Sequence, residues 1–190
     1  DVDANGTYDE QFTADGLLAS GIGFGQEFGI GTFNTGAFDN WNVNGDGPIG
    51  TNYCGPGNPN STGMSGIMSA SGDISASAND FTVTASQVPS AQFAYFIASR
   101  TQGFVANPGG SAGNLCVLGD IARFNRAGEV GAIAGGTFAL QMPLGDFPEP
   151  PAGSVAVMAG DTWNFQCWHR DLVNGTPTSN FTDGLEVTFQ

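Results

Sequence analysis

The chain reads as all-β: a two-sheet antiparallel β-sandwich, jelly-roll or immunoglobulin-like, with an N-terminal Gly/Phe-rich strand arm. Three observations predict this. The 190 residues include 30 Gly and 10 Pro, yet 40% are hydrophobic, so turns are frequent in a chain still apolar enough to fold. Short apolar runs recur between those turns at a spacing that suits sandwich strands. No segment carries the apolar period of a long amphipathic helix.

The clearest strand is DTWNFQCWHRD, residues 161–171. Trp163, Phe165, Cys167 and His169 alternate with Asn164, Gln166, Trp168 and Arg170. The first set is assigned to a buried face and the second to the opposite one. Other strands are expected at 67–71, 81–86, 92–99, 115–117, 121–125, 135–141, 154–158 and 185–189. Residues 146–153, DFPEPPAG, read as an extended connector, because consecutive prolines cannot join a central strand.

A boundary is placed near Gly50, with the sandwich in 51–190 and the arm in 1–50. Within the arm, GIGFGQEFGIGTFNTGAF alternates glycine with Ile22, Phe24, Phe28, Ile30 and Phe33. A strand with a glycine face is weak until another backbone packs on it. The arm therefore needs a partner. That partner is either the protein's own sandwich or the sheet of a neighbouring copy, reached by strand addition.

Charge narrows the function. Eighteen acidic residues face four arginines (Arg100, Arg123, Arg126, Arg170) with no lysine, for a formal net charge of −14. Such a chain cannot replace phosphate counterions, so nucleic acid is excluded as a general partner, and an anionic membrane surface is disfavoured. No run approaches the 18 apolar residues of a membrane span, so no insertion is expected. The surface favours cations, Ca²⁺ in particular. The first nine residues, DVDANGTYD, set Asp1, Asp3, Asn5 and Asp9 at calcium-loop spacing, with Gly6 at the turn and Thr7 offering its carbonyl. The pattern is similar to the short loops of integrin-type and thrombospondin-type repeats. An EF-hand would need a bidentate Glu where Phe12 stands. The alternative is a solvated acidic turn. A weaker echo, Asn42, Asn44 and Asp46, has the same spacing but one charge, and a plain turn competes with it.

Cys54 lies in a Gly/Pro/Asn loop with little core for a thiol to fill, and Cys116 begins the apolar run CVLGDI. They are expected to pair, closing a loop of roughly 60 residues worth about 4 kcal/mol in the chain-entropy account. Cys167 points inward and is expected to be a buried free thiol; the alternative is an intermolecular bridge. No Cys/His spacing suggests zinc or haem.

Catalytic signals are poor. His169, the single histidine, lies on the inward face and reads as structural. There is no G-x-S-x-G elbow and no P-loop, so no enzyme is expected. Tyr53, Trp168 and Arg170 form a candidate ligand platform, since aromatic rings beside amides and a guanidinium suit sugar stacking. In the competing reading this face packs on the arm and Arg170 pairs with Asp171. Sequons at Asn5, Asn60, Asn174 and Asn180 fit exposed loops.

Several separated motifs occur in order: NYCGPGNPNSTG, ASGDISASANDFTV, TQGFVANPGGSAGNLCVLGDIARF, DTWNFQ-x-W-x-RD and SNFTDGLEVTF. Through them residues 52–190 resemble the poorly characterised C-terminal β-domain of secreted planctomycete and marine myxobacterial proteins. The resemblance implies a secreted or cell-surface protein, a non-catalytic role and the same Cys54–Cys116 pair; on it, Asp1 is expected to follow a cleavage site. Cys167 departs from the pattern, which more often has an aromatic or aliphatic residue there. The expected function is an extracellular structural or interaction protein. It would assemble with copies of itself into a fibre or surface layer through the arm, supported by Ca²⁺. The alternative is a carbohydrate-binding or adhesive module whose partner is a polysaccharide.

Overall fold

The computed structural model describes residues 47–190. The arm, the calcium-loop candidates Asp1, Asp3, Asn5, Thr7 and Asp9, and the weaker set Asn42, Asn44 and Asp46 lie outside the described residues. What is described is all-β, in several antiparallel sheets. The strands are β1 (Thr51–Tyr53), β2 (Ile67–Gly72), β3 (Phe81–Ser86), β4 (Phe93–Ser99), β5 (Thr101–Ala106), β6 (Asn114–Leu118) and β7 (Ala122–Arg123). They continue as β8 (Gly131–Ala132), β9 (Thr137–Gln141), β10 (Phe147–Glu149), β11 (Gly153–Val155), β12 (Thr162–Val173), β13 (Thr176–Phe181) and β14 (Gly184–Thr188). The largest sheet runs β1-β14-β12-β4-β7, with β13 also on β12 and β8 also on β4. A second sheet is β2-β3-β9, and β5-β6 and β10-β11 form two hairpins.

Alternation explains the pairing of these elements with the core. In β3, Phe81, Val83 and Ala85 are buried, while the β-branched Thr82 and Thr84 face outward. In β12, Trp163, Phe165, Cys167 and His169 have no exposed surface, as the sequence predicts. One core joins Met68, Phe81, Val83 and Ala85 of the smaller sheet to Phe96, Trp163, Phe165, Leu185 and Val187 of the larger. Phe81 makes the crossing, with its ring 5.6 Å from Phe165 and 5.0 Å, edge-on, from Phe189. Such pairs add about 1 kcal/mol each beyond the area they bury.

One expectation is corrected. Residues 146–153 are more than a connector, because β10 pairs with β11 there. The physical reason for the misreading is that proline is barred only from central strands. Here Pro148 sits in a two-stranded hairpin, where a missing N–H leaves no interior ladder bond unmade. The sequence also passes over β5, a largely exposed strand interrupted by Gly103, and β13, whose polar residues give no alternation.

Strand β12 turns into β13 through Asn174 and Gly175, with φ of 51° and 76°. This Asn-Gly turn, positive at both central residues, matches the twist of the flanking strands. The return is not regular. Phe165 pairs with Leu185 and Trp168 with Phe181. Between those pairs β12 has Gln166 and Cys167, but the return has Thr182, Asp183 and Gly184. The extra residue is a β-bulge, which reverses the inside–outside alternation along the returning chain. Leu185 consequently enters the main core, whereas Phe181 joins a separate cluster with Ile97 and Val117 on the other face.

The polar groups freed at the bulge are all used. Gln166, with no exposed surface, accepts the Cys116 N–H at 2.9 Å and donates to the carbonyls of Asn114 at 2.9 Å and Thr182 at 2.8 Å. This one amide fastens the β5-β6 hairpin to the outer face of the large sheet. The disulfide from Cys54 to Cys116, 62 positions apart, and the Tyr53 hydroxyl, donating to the Cys116 carbonyl at 3.1 Å, hold the same hairpin to β1. Asp183 works toward the other side. Its carboxylate accepts the Met68 N–H at 2.7 Å and the Asn52 amide at 3.0 Å, which ties the smaller sheet to the larger. Burial raises its pKa against the lowering effect of those bonds.

At one end of the core Arg100 lies over the Trp163 ring, 4.4 Å from its centroid. The guanidinium contacts Asp161 at 2.8 and 3.2 Å and Glu149 at 2.9 Å. The Arg100 hydrogen bond holds the Asp161 carboxyl below the usual carboxylate range.

Two outcomes are expected. Gln166→Ala leaves a buried N–H and buried carbonyls without partners, and lowers unfolding free energy in urea by about 2–4 kcal/mol. Asp161 is a depressed acid, so its stabilisation is present above the unfolded pKa near 3.9 and is lost as pH falls through the folded value. Asp161→Asn therefore melts lower than the parent at neutral pH. Its melting point should also fall less steeply than the parent's between about pH 5 and pH 2.

Candidate functional site

The outer face of β12 changes character along its length. Asn164 and Gln166 lie beneath the β5-β6 hairpin; Asn164 donates to the Ser99 carbonyl at 3.2 Å and accepts from Gln102 at 3.0 Å. Trp168 and Arg170 continue the same face in register. Trp168 pairs across the ladder with Tyr95 of β4, and their rings lie 4.9 Å apart at 36°. Both are half-buried, seated with Leu115 and Ile121 on the small cluster of Ile97, Val117 and Phe181. This second core fixes the two rings while leaving part of each open.

Two arginines flank the aromatic pair. Arg170 stands two residues beyond Trp168 on β12, and Arg123 of β7 pairs in register with Ile97 of β4. Directly opposed residues share a face, so Arg123 lies on the side of Tyr95 and Ile97. Both arginines are exposed. The other two are engaged: Arg100 as described, and Arg126 with Asp146 at 2.6 Å. Among the described residues neither Arg123 nor Arg170 makes an ion pair.

Two open depressions adjoin here. One of about 620 Å³ is lined by Gln92, Trp168, Arg170, Pro177 and Thr178, together with the backbone at Gly109 and Gly110. The other, of about 250 Å³, is lined by Tyr95, Leu115, Ile121, Arg123, Trp168 and Phe181. Trp168 lines both. The larger has the volume of an ordinary small-ligand site. It offers an aromatic ring, an amide, hydroxyls, a guanidinium and the carboxylate of Asp171.

Of the platform residues expected from sequence, the structure brings together Trp168 and Arg170 but not Tyr53. The Tyr53 ring covers Gly184, where a Cβ would run into it, and its hydroxyl is committed to Cys116. Burial, helped by the charges of Glu186 and Asp183, pushes its phenol well up. The Arg170–Asp171 pair of the competing reading is not among the ion pairs of the described residues. Asp171 is buried and accepts the N–H groups of Ser61, at 3.0 and 3.2 Å, and Leu172, at 2.8 Å. Tyr95 and Arg123 are the residues sequence reading missed. The alternation of FAYFIAS does point Tyr95 outward, but nothing local places it beside Trp168.

Cys167 is free and fully buried, and burial pushes its thiol well up; no surface is presented to a partner's thiol. His169 has Nδ1 3.1 Å from the Arg170 carbonyl, while Nε2 has no partner among the described residues. Burial lowers its pKa, keeping it neutral and away from solvent. Two sequons are corrected as well. Asn60 is 5% exposed and Asn180 not at all, because their amides serve as interior donors. Asn60 donates to the Gln87 carbonyl at 2.7 Å, and Asn180 donates to the carbonyls of Asn58 at 3.3 Å and Pro59 at 3.2 Å. Asn174 lies at an exposed turn, and Asn5 falls outside the described residues. Among the described residues no group of three or more His, Cys, Asp or Glu is placed to hold a metal ion, and no helix is long and apolar enough to cross a membrane. No protein-family model, no curated protein and no solved structure matches this chain.

Proposed function

We propose that the chain is a carbohydrate-binding or adhesive module of a secreted protein, built on a two-sheet antiparallel sandwich, with Trp168 and Tyr95 as its sugar platform. The observation that carries the reading is the half-buried Trp168–Tyr95 pair, with Trp168 lining two adjoining depressions. The apolar C–H face of a pyranose is complementary to an aromatic ring held in place from behind. Its hydroxyls need fixed donors and acceptors, and Gln92, Thr178 and Arg170 line the larger depression. The disulfide suits an oxidising, extracellular compartment.

Trp168→Ala is expected to lose at least about tenfold in affinity for a bound polysaccharide while keeping the far-ultraviolet spectrum and cooperative melting of the parent. Tyr53→Phe is expected to bind as the parent does. A panel of soluble and insoluble polysaccharides, read by pull-down and calorimetry, checks both. Unchanged binding by Trp168→Ala would sink the reading.

A second reading, self-association through the arm with support from Ca²⁺, draws on one observation. Among the described residues β1 has a neighbour on one side only, β14, and it follows directly from residues 1–50. An edge strand offers unpaired backbone groups to a further strand. Light scattering with and without Ca²⁺ checks it. Growth in size on adding Ca²⁺ is the expected result, and a monomer at high concentration in both conditions rules it out.

A further inference from the structure

The distribution of the four arginines carries more than their number does. The chain has 18 carboxylates and formal net charge −14, so a guanidinium that serves only the fold has many internal partners to choose from. Arg100 and Arg126 take them. Arg123 and Arg170, which among the described residues take none, line the two depressions that Trp168 shares. They lie on one face of the large sheet, on β7 and β12 with β4 between. Arg123 opposes Ile97, which opposes Gln166, so Arg170 stands four residues further along β12; two interstrand steps across and four residues along set the two positions about 16 Å apart. Asp171, the acid that lines the larger depression, already accepts two backbone N–H groups. The smaller depression has no acid in its lining.

The geometry points to an anionic polysaccharide as the ligand of this platform, with Arg123 and Arg170 each meeting a carboxylate or sulfate on the chain while Trp168 and Tyr95 take sugar faces. The inference rests on the carbohydrate-binding reading and specifies its ligand. The planar guanidinium donates paired hydrogen bonds that match both anions, and it keeps its charge at any ordinary pH. The protein's overall negative charge opposes such a ligand at long range. Contact pairs survive where salt screens the long-range field: in about 0.5 M salt the screening length is about 4 Å.

The test uses the full chain in about 0.5 M NaCl, with titration calorimetry against alginate, a polyuronate, κ-carrageenan, a sulfated galactan, and laminarin, a neutral glucan. At least one anionic chain is expected to bind about tenfold more tightly than laminarin. Arg123→Gln and Arg170→Gln are each expected to weaken that binding about fivefold, and laminarin binding by a smaller factor, with melting temperature unchanged. Arg170→Lys is expected to keep part of the affinity, since it keeps the charge and loses the fork. Preference for alginate or for carrageenan tells uronate from sulfate. Equal binding of laminarin and the anionic chains overturns the inference and leaves the carbohydrate reading standing. Anionic binding that ignores both arginine substitutions also overturns it. Binding to no glycan at all removes the underlying reading together with it.

Discussion

A single extra residue in the chain returning from β12, within Thr182–Gly184, is the constraint on which the rest of the molecule depends. It shifts the inside–outside alternation between β13 and β14, and it breaks the ladder at a point where both sheet faces are covered. Buried backbone groups cannot be left unpaired at low cost. The neighbouring side chains supply the missing partners: Gln166 takes the Thr182 carbonyl, and the Thr182 hydroxyl accepts the Cys167 N–H. Asp183 donates its N–H to the Gly66 carbonyl and accepts Met68 with its carboxylate. The same side chains also attach separate pieces of structure: Gln166 bonds Asn114 and Cys116 of β6, and Asp183 bonds Gly66 and Met68. The hairpin β5-β6 is held on one side and the sheet β2-β3-β9 on the other.

The same irregularity produces the aromatic platform. With regular pairing Phe181 and Leu185, four positions apart, would share a face. The bulge places Leu185 in the main core and Phe181 on the outer face, beneath Trp168. A large apolar residue on that side gives Trp168 and Tyr95 a packed floor. The rings are thereby fixed before any ligand arrives, which lowers the ordering cost of binding.

The acidic composition sets the terms for everything charged. With so few cations, each arginine position is informative. Arg100 joins Asp161 and Glu149 while covering the indole of Trp163, so one side chain closes the end of the core and links β10 to the start of β12. Arg126 ties the segment after β7 to Asp146. The remaining two, Arg123 and Arg170, line the two depressions that Trp168 shares.

Much of the fold was legible in the sequence because strand alternation is a local property. The burial of Trp163, Phe165, Cys167 and His169, the β3 pattern and the approximate positions of most strands follow from period-two hydrophobicity. The free state of Cys167 and the pairing of the other two cysteines follow from where each sits relative to apolar runs. What only the tertiary structure decided is non-local. In SNFTDGLEVTF the residues Phe181, Leu185 and Val187 fall in one period-two frame, interrupted only at Asp183-Gly184, and nothing local says that the chain changes face at that interruption. The partner across a ladder, and hence the meeting of Trp168 with Tyr95 and Arg123, is set by strand order, which periodicity does not encode. Asn60 and Asn180 looked like loop residues for the same reason: amides that serve as interior donors are recognised only once the carbonyls they satisfy, from distant parts of the chain, have been brought beside them.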